Sequence, residues 1–375
     1  MKTEENLVFL CFKGYLNEDE NKEVNNLLNK KINWEYLFKI SAINKVFDNV
    51  FKCLENEIPE ENKKKFRDLE KIIVKFNKKH MLAFETVLPS ILKYNNIILL
   101  KGISFAYTLY KKKRTKPIGD IDLFIDRPVY STYAGIFLDH CGVPYDVKSK
   151  WPYLEYHHNL NLYQGMNFAN MDLNEFWKNA KKININNYSV GILKPEDNLI
   201  YLSYRYLTKR FGQLYRFVNL YNLINNNNIN WHLLIKNAKK YRLNSSLWIN
   251  LYLLNKIYNI VPNSVIKSIQ PNKIKRVLTF WLIKEDLFFY NPLKIGKLSR
   301  IKNRLMIKIL LLNRYNFYKM PFSELLIILL GLYKKIFKFK KIGYIVTYLE
   351  FRLLSLIKRS KFNFKEMIEY MHGKN

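Results

Sequence analysis

Two aspartates one residue apart, Asp120 and Asp122, stand inside the apolar run Gly119-Asp120-Ile121-Asp122-Leu123-Phe124-Ile125, downstream of Lys101-Gly102-Ile103-Ser104. Side chains at i and i+2 of a strand share a face, so both carboxylates should project together, with Ile121, Leu123 and Ile125 on the opposite face. Adjacent carboxylates repel, and burying them unpaired is expensive. A divalent cation between them removes the conflict, and a hard oxygen donor set suits Mg2+. The chemistry that needs such a pair is nucleotidyl transfer, in which an acceptor hydroxyl attacks the α-phosphorus of a nucleoside triphosphate and pyrophosphate leaves. Two Mg2+ ions, with Mn2+ as a substitute, would offset the triphosphate charge and clamp the attacking and leaving oxygens. Gly102 and Ser104, where an apolar run meets a helix start, are the expected phosphate cradle, because glycine admits close backbone approach and a helix N-terminus favours anions. Lys101 is placed to reach a phosphate. A third carboxylate near the acceptor hydroxyl completes such a site. Glu155, with His157 two residues on and facing the same way, and Asp146 on a similar short run are the candidates.

The elements that must hold these residues are readable from periodicity. Residues from Asn6 to about Tyr94 read as helices: Leu7, Leu10 and Phe12 mark one, Asn33 caps another, and Ile58-Pro59-Glu60-Glu61 starts a long amphipathic run through Leu69, Ile73, Phe76, Met81, Phe84 and Leu88. Short β-rich runs then follow at Ile97–Leu100 and Ile121–Ile125, with a helix from Ser104 to Tyr110 between them. Pro128 to His140 reads as helix, and Val143–Val147 and Tyr153–His157 as strands. After Asn170 the pattern returns to helix periodicity, with Leu193-Lys194-Pro195-Glu196-Asp197 opening a new helix. The expected fold class is α+β: a small mixed sheet embedded between helical segments, with a helical C-terminal region. The expected division is a helical 1–94, an α/β core at 95–190, a helical 191–262 packing on it, and a basic helical 263–375.

With 375 residues, 49% of them hydrophobic, the chain can fill a real core and is not a disordered polypeptide. Its net charge of +32 draws polyanions without choosing among nucleotide phosphates, nucleic acid and anionic lipid. The excess is uneven: residues 263–375 carry 24 Lys and Arg against 6 Asp and Glu. Lys294 to Lys341 holds 13 basic residues against Glu324 alone, and Lys334-Lys335-Ile336-Phe337-Lys338-Phe339-Lys340-Lys341 interleaves aromatics with charge. That stretch, 294–341, is the expected contact for an anionic membrane or nucleic acid. Cys11, Cys53 and Cys141 are too few and too widely spaced for a disulfide framework or a zinc site, which fits a reducing cytoplasm, peripheral to a membrane at most. The longest late apolar run, Leu325 to Tyr333, is about half the ~20 residues that a spanning helix needs.

The segment from Leu99-Leu100-Lys101-Gly102 through Tyr110 to Gly119-Asp120-Ile121-Asp122-Leu123 resembles the bacterial uncharacterised nucleotidyltransferase family of the polymerase-beta-like superfamily. The likeness runs from about Asn6 to Pro262. It takes in Asn33-Trp34, Asp172-Leu173-Asn174-Glu175-Phe176-Trp177, Leu193-Lys194-Pro195-Glu196-Asp197 and Asn230-Trp231. Leu154-Glu155-Tyr156-His157 is similar to the family's hydrophobic-acid-hydrophobic-histidine element, which ranks Glu155 above Asp146. The resemblance implies magnesium-dependent transfer of a nucleotide from a triphosphate such as ATP. Asp120, Asp122 and Glu155 would be its catalytic and metal-binding residues, and Lys101, Gly102, Ser104 and Lys116 its nucleotide-binding ones. It leaves open the acceptor, a peptide, a saccharide or another hydroxyl. Lys116 departs from the pattern, standing where an arginine usually precedes the aspartates, and Tyr204 and Asn219 stand where a histidine and an aspartate are common. The rival class is an inactive relative that binds polyanions through its basic C-terminal region. Two intact, mutually repelling carboxylates argue against it.

Overall fold

The computed structural model describes residues 2–93, 95–110, 116–126, 153–157, 159–160, 162–163, 166–167, 169–208 and 213–282. The expected helix at Pro128–His140, the strand around Asp146 and the basic stretch 294–341 lie outside these residues. The chain divides into two compact units, Met1–Gln270 with Glu285–Asn291, and Pro271–Lys284 with Pro292–Asn375. All the residues argued below belong to the first.

Five helices lead: α1 (Thr3–Cys11), α2 (Glu18–Leu28), α3 (Trp34–Ile43), α4 (Phe47–Leu54) and the 33-residue α5 (Glu60–Leu92). Their starts follow from side-chain chemistry. Asn17 and Glu20 form a reciprocal capping box at α2, and Asn33 Oδ1 accepts the Tyr36 N–H at 2.9 Å as the expected cap of α3. Pro59 stands at the cap of α5, which buries Phe66, Ile73, Met81, Phe84 and Leu88 along one face.

The chain then enters the sheet through β1 (Ile97–Leu99), α6 (Lys101–Thr108), β2 (Asp120–Ile125) and β3 (Tyr153–His157). A small ribbon of β4 (Leu162–Tyr163) and β5 (Met166–Asn167) precedes α7 (Leu173–Asn179), β6 (Lys181–Ile185) and β7 (Tyr188–Ile192). The helix periodicity read after Asn170 is therefore interrupted between Asn179 and Pro195. Residues 181–192 form a hairpin instead, closed by Asn186-Asn187 with Asn186 at φ 52°. An asparagine tolerates that left-handed backbone, and the alternating Ile183, Ile185 and Val190 suit a half-buried strand.

The five-stranded sheet runs β3-β2-β1-β7-β6, with β3/β2 and β1/β7 parallel and β2/β1 and β7/β6 antiparallel. Strand β7 lies beside β1 because Gly191 faces Ile98; a Cβ there would stand 2.8 Å from Ile98 Cγ1 and 2.9 Å from the Ile97 carbonyl oxygen. Ile121, Leu123 and Ile125 point into a core shared with Phe84, Leu88 and Ile91 of α5 and with Ile103 and Ala106 of α6. The opposite face of β2 is left for Asp120, Asp122 and Phe124.

A layer of helices follows: α8 (Pro195–Thr208), α9 (Tyr215–Asn225), α10 (Trp231–Lys240), α11 (Asn244–Tyr258) and α12 (Asn263–Ser268). Nearly every residue of α8 is buried, so it forms the centre of this layer. In the second unit, α13 (Lys273–Leu282) is the described helix. The architecture is the expected mixture of a mixed sheet set among helices. Among the described residues no helix is long and apolar enough to cross a membrane.

Candidate functional site

Strand register assembles the site. Parallel pairing sets Asp120 against Tyr153, Asp122 against Glu155 and Phe124 against His157. With side chains alternating along each strand, Asp120, Asp122, Glu155 and His157 therefore share one face. The alternate set, Leu154 and Tyr156, packs with the core on the other side.

Asp122 is the buried member, 2% exposed, while Asp120 opens β2 in contact with solvent. Burial alone would push the Asp122 carboxyl up. The hydrogen bond from His157 and the charge of Lys101 outweigh it and hold the carboxyl below its ordinary value. Oδ1 of Asp122 accepts both bonds, one from the Lys101 ammonium and one from His157 Nε2–H at 2.8 Å. An ionised carboxylate only accepts, so the hydrogen sits on Nε2 of the imidazole. Glu155 Oε1 lies 3.5 Å from the same His157 nitrogen. Its carboxyl is shifted the other way, pushed up chiefly by burial and further by the Asp122 charge and a hydrogen bond with Asp120, against the pull of Lys101 and His157.

One ligand atom from each of Asp122, Glu155 and His157 falls within 4.8 Å of the others, close enough to hold one metal ion. Carboxylate oxygens suit Mg2+, and the imidazole nitrogen, once its hydrogen is on Nδ1, extends the set toward Mn2+ and its neighbours.

Lys101 reaches Asp122 from an unusual backbone. It follows β1 at φ 49°, in the left-handed region, and begins α6. Leu100 N–H donates to the Asp122 carbonyl at 3.0 Å, which ties this turn to β2. Gly102 and Ser104 occupy the first turn of α6, with Ser104 buried. Lys116 is buried too; its ammonium lies 5.7 Å from the centre of the Tyr110 ring. The structure thus brings Asp122, Glu155, His157 and Lys101 together, leaves Asp120 on the same face one strand step away, sets Gly102 and Ser104 beside Lys101, and lays Lys116 over Tyr110.

A family model described as an uncharacterised nucleotidyltransferase matches residues 30–259, more than half of the 375. The chain belongs to that family. No curated protein and no solved structure matches it. A general nucleotidyl-transfer role and a nucleotide substrate come with the family.

The other segments that carry the family likeness work as mutual supports. Asp172 caps α7, Glu175 Oε2 accepts from Lys240 Nζ at 2.8 Å and Tyr241 Oη at 2.7 Å, and Trp177 stacks on Phe124 at 4.7 Å. That stack closes the end of the carboxylate face beyond Asp122. Glu196 Oε1 accepts the Asn230 N–H at 2.7 Å while Asn230 caps α10, which joins the two later segments. Asn219, where an aspartate is common, accepts from Tyr110 Oη at 2.8 Å and donates to Tyr206 Oη at 3.3 Å, so it holds the end of α6 against α9.

Three features escape a motif search. Asn77 of α5 is buried and clamps the approach to β2: its Nδ2 donates to the Lys116 carbonyl at 2.9 Å, and its Oδ1 accepts the Ile118 N–H at 2.8 Å. Its signal is a single amide interrupting the apolar stripe Ile73-Asn77-Met81 at helical spacing. Tyr201 of α8 is fully buried within electrostatic reach of Asp122 and Glu155. One turn on, Arg205 also interacts with it, and among the described residues neither Tyr201 Oη nor Arg205 Nε has a hydrogen-bond partner. The role of His157 as a bridge between the two carboxylates is the third, legible as a face but not as a contact.

Proposed function

We propose that this nucleotidyltransferase moves a nucleoside monophosphate from a nucleoside triphosphate to a hydroxyl-bearing acceptor, with release of pyrophosphate, using Mg2+ held by Asp120, Asp122 and Glu155. The observation that carries the reading is the register that sets Glu155 directly opposite Asp122, with Asp120 on the same face. The donor set fits a divalent cation, because its central carboxylate is 2% exposed yet favoured in its ionised form by the His157 hydrogen bond and the Lys101 charge. Mg2+, when bound, offsets triphosphate charge and polarises the α-phosphoryl group, and Mn2+ would serve in its place.

The chain's own residues supply the rest. Backbone N–H groups at the start of α6, by Gly102 and Ser104, meet the phosphates, with Lys101 adding charge and Lys116 contributing to the field. Glu155, whose carboxyl is already raised, has the basicity to take the proton of an acceptor hydroxyl. The rigid pairing of β2 with β3 keeps these groups in place without reorganisation at the moment of transfer.

Calorimetric titration of the four ribonucleoside triphosphates with Mg2+ tests the reading. Magnesium-dependent binding of at least one triphosphate is expected in the native chain and should be lost in Asp120→Ala/Asp122→Asn. Binding indifferent to both aspartates would overturn it.

A further inference from the structure

The contact between Lys101 and Asp122 is in the wrong place for a residue that only binds phosphate. Asp122 is the least exposed carboxylate of the site, and one of its oxygens is already shared by Lys101 and His157. A divalent ion on either oxygen of the Asp122 carboxylate would stand close to the ammonium and repel it. Lys101 also adopts the left-handed region at φ 49°, which is unfavourable for a residue with a Cβ. It is held there by the ion pair and by the Leu100 to Asp122 backbone bond. The residue occupies the junction of β1 with α6, where a short reorientation of a long side chain carries its charge away from Asp122 toward whatever sits at the helix start.

We infer that Lys101 is a displaceable counter-cation: it neutralises Asp122 while no metal is bound, gives the carboxylate up to the incoming divalent ion, and transfers its ammonium to the triphosphate that the ion brings. The inference rests on the nucleotidyl-transfer reading and adds to it an order. Metal and nucleotide bind together, because the ion frees the lysine that the phosphates use, and the phosphates stabilise the lysine away from the ion. The buried carboxylate is never left without a positive partner, whose loss would expose it to the full desolvation penalty.

The test is a crossed pair of affinities on the full chain, read by calorimetry without turnover. Mn2+ alone and Mg2+ alone are titrated into the native protein and into Lys101→Met and Lys101→Gly. A non-hydrolysable nucleoside triphosphate is then titrated at saturating metal. Removing the ammonium should tighten metal binding about tenfold, through loss of the competitor, and weaken nucleotide binding about tenfold, through loss of the phosphate contact. Lys101→Gly keeps the left-handed backbone without strain, so it separates loss of charge from misfolding. Metal affinity that is unchanged or weaker in both variants overturns the exchange while leaving the transferase reading intact, provided that the native chain binds metal and nucleotide through Asp120 and Asp122. Failure of the native chain to bind metal or nucleotide overturns both.

Discussion

At the scale of single residues, the two aspartates of one short motif carry different loads. Asp120 is exposed on the same face as Glu155, whereas Asp122 is buried and anchors Lys101 and His157. Asp120→Ala should leave stability within about 0.5 kcal/mol of native, as exposed substitutions do, while abolishing nucleotidyl transfer. Asp122→Ala should lose transfer as well and cost about 3 kcal/mol, because it strands an ammonium and an imidazole in a buried place. Urea unfolding of the two variants side by side checks the difference; equal stabilities would contradict the burial argument. The sign with pH follows. The folded Asp122 carboxyl lies below its ordinary value of 3.8, so its stabilisation is complete above that value. It is lost as pH falls through the lower folded value, and Asp122→Ala should flatten that acid limb. The shared face of the two aspartates was legible in the sequence because side chains alternate along a strand, as the register of β2 shows. The partners that Lys101 and His157 make were not, since both depend on how β1, β2 and β3 meet.

At the scale of elements, the site depends on how β2 is delivered to its neighbours, and Asn77 of α5 controls the delivery. A single amide side chain satisfies two backbone groups on the segment 116–118, just before Asp120. Asn77→Leu keeps volume but leaves a carbonyl and an N–H without their partners in a buried setting, at about 1–3 kcal/mol. The expected result is a lower unfolding midpoint together with weaker magnesium-dependent nucleotide binding, although Asn77 lies on a helix of the opposite sheet face. A variant as stable as the native chain with native nucleotide affinity would remove Asn77 from this role. The same scale explains what sequence pattern reached. The leading helices, β1, β2, β3 and α8 were readable because caps, prolines and apolar periodicity act locally. Strands β6 and β7 were not, because Lys181 and Lys182 open the hairpin with exposed charge and its turn is a bare Asn186-Asn187. The place of β7 beside β1 is fixed by a non-local fit of Gly191 against Ile98, which no local window contains.

At the scale of the whole molecule, two kinds of electrostatics act together and salt separates them. The +32 charge is a long-range field that gathers any polyanion, and it is screened once the Debye length falls from ~10 Å at 0.1 M to ~3 Å at 1 M. The contacts around Asp122 are short and largely buried, so ionic strength reaches them weakly. A nucleoside triphosphate should therefore associate several-fold more slowly as NaCl rises from about 0.05 to 0.5 M, with a dissociation rate that changes little. Stopped-flow binding of a fluorescent triphosphate analogue at fixed Mg2+ measures both rates. A single-stranded RNA oligonucleotide titrated over the same range answers to the field alone. Its affinity should fall steeply and linearly on a log–log plot and should survive Asp120→Ala. If the triphosphate behaved as the RNA does, with the same salt slope and the same indifference to Asp120, the positive field would account for all of its binding and the carboxylate face would have no part in it. Opposite responses to Asp120→Ala would instead assign general attraction to the molecule's charge and recognition to the pairing of β2 with β3.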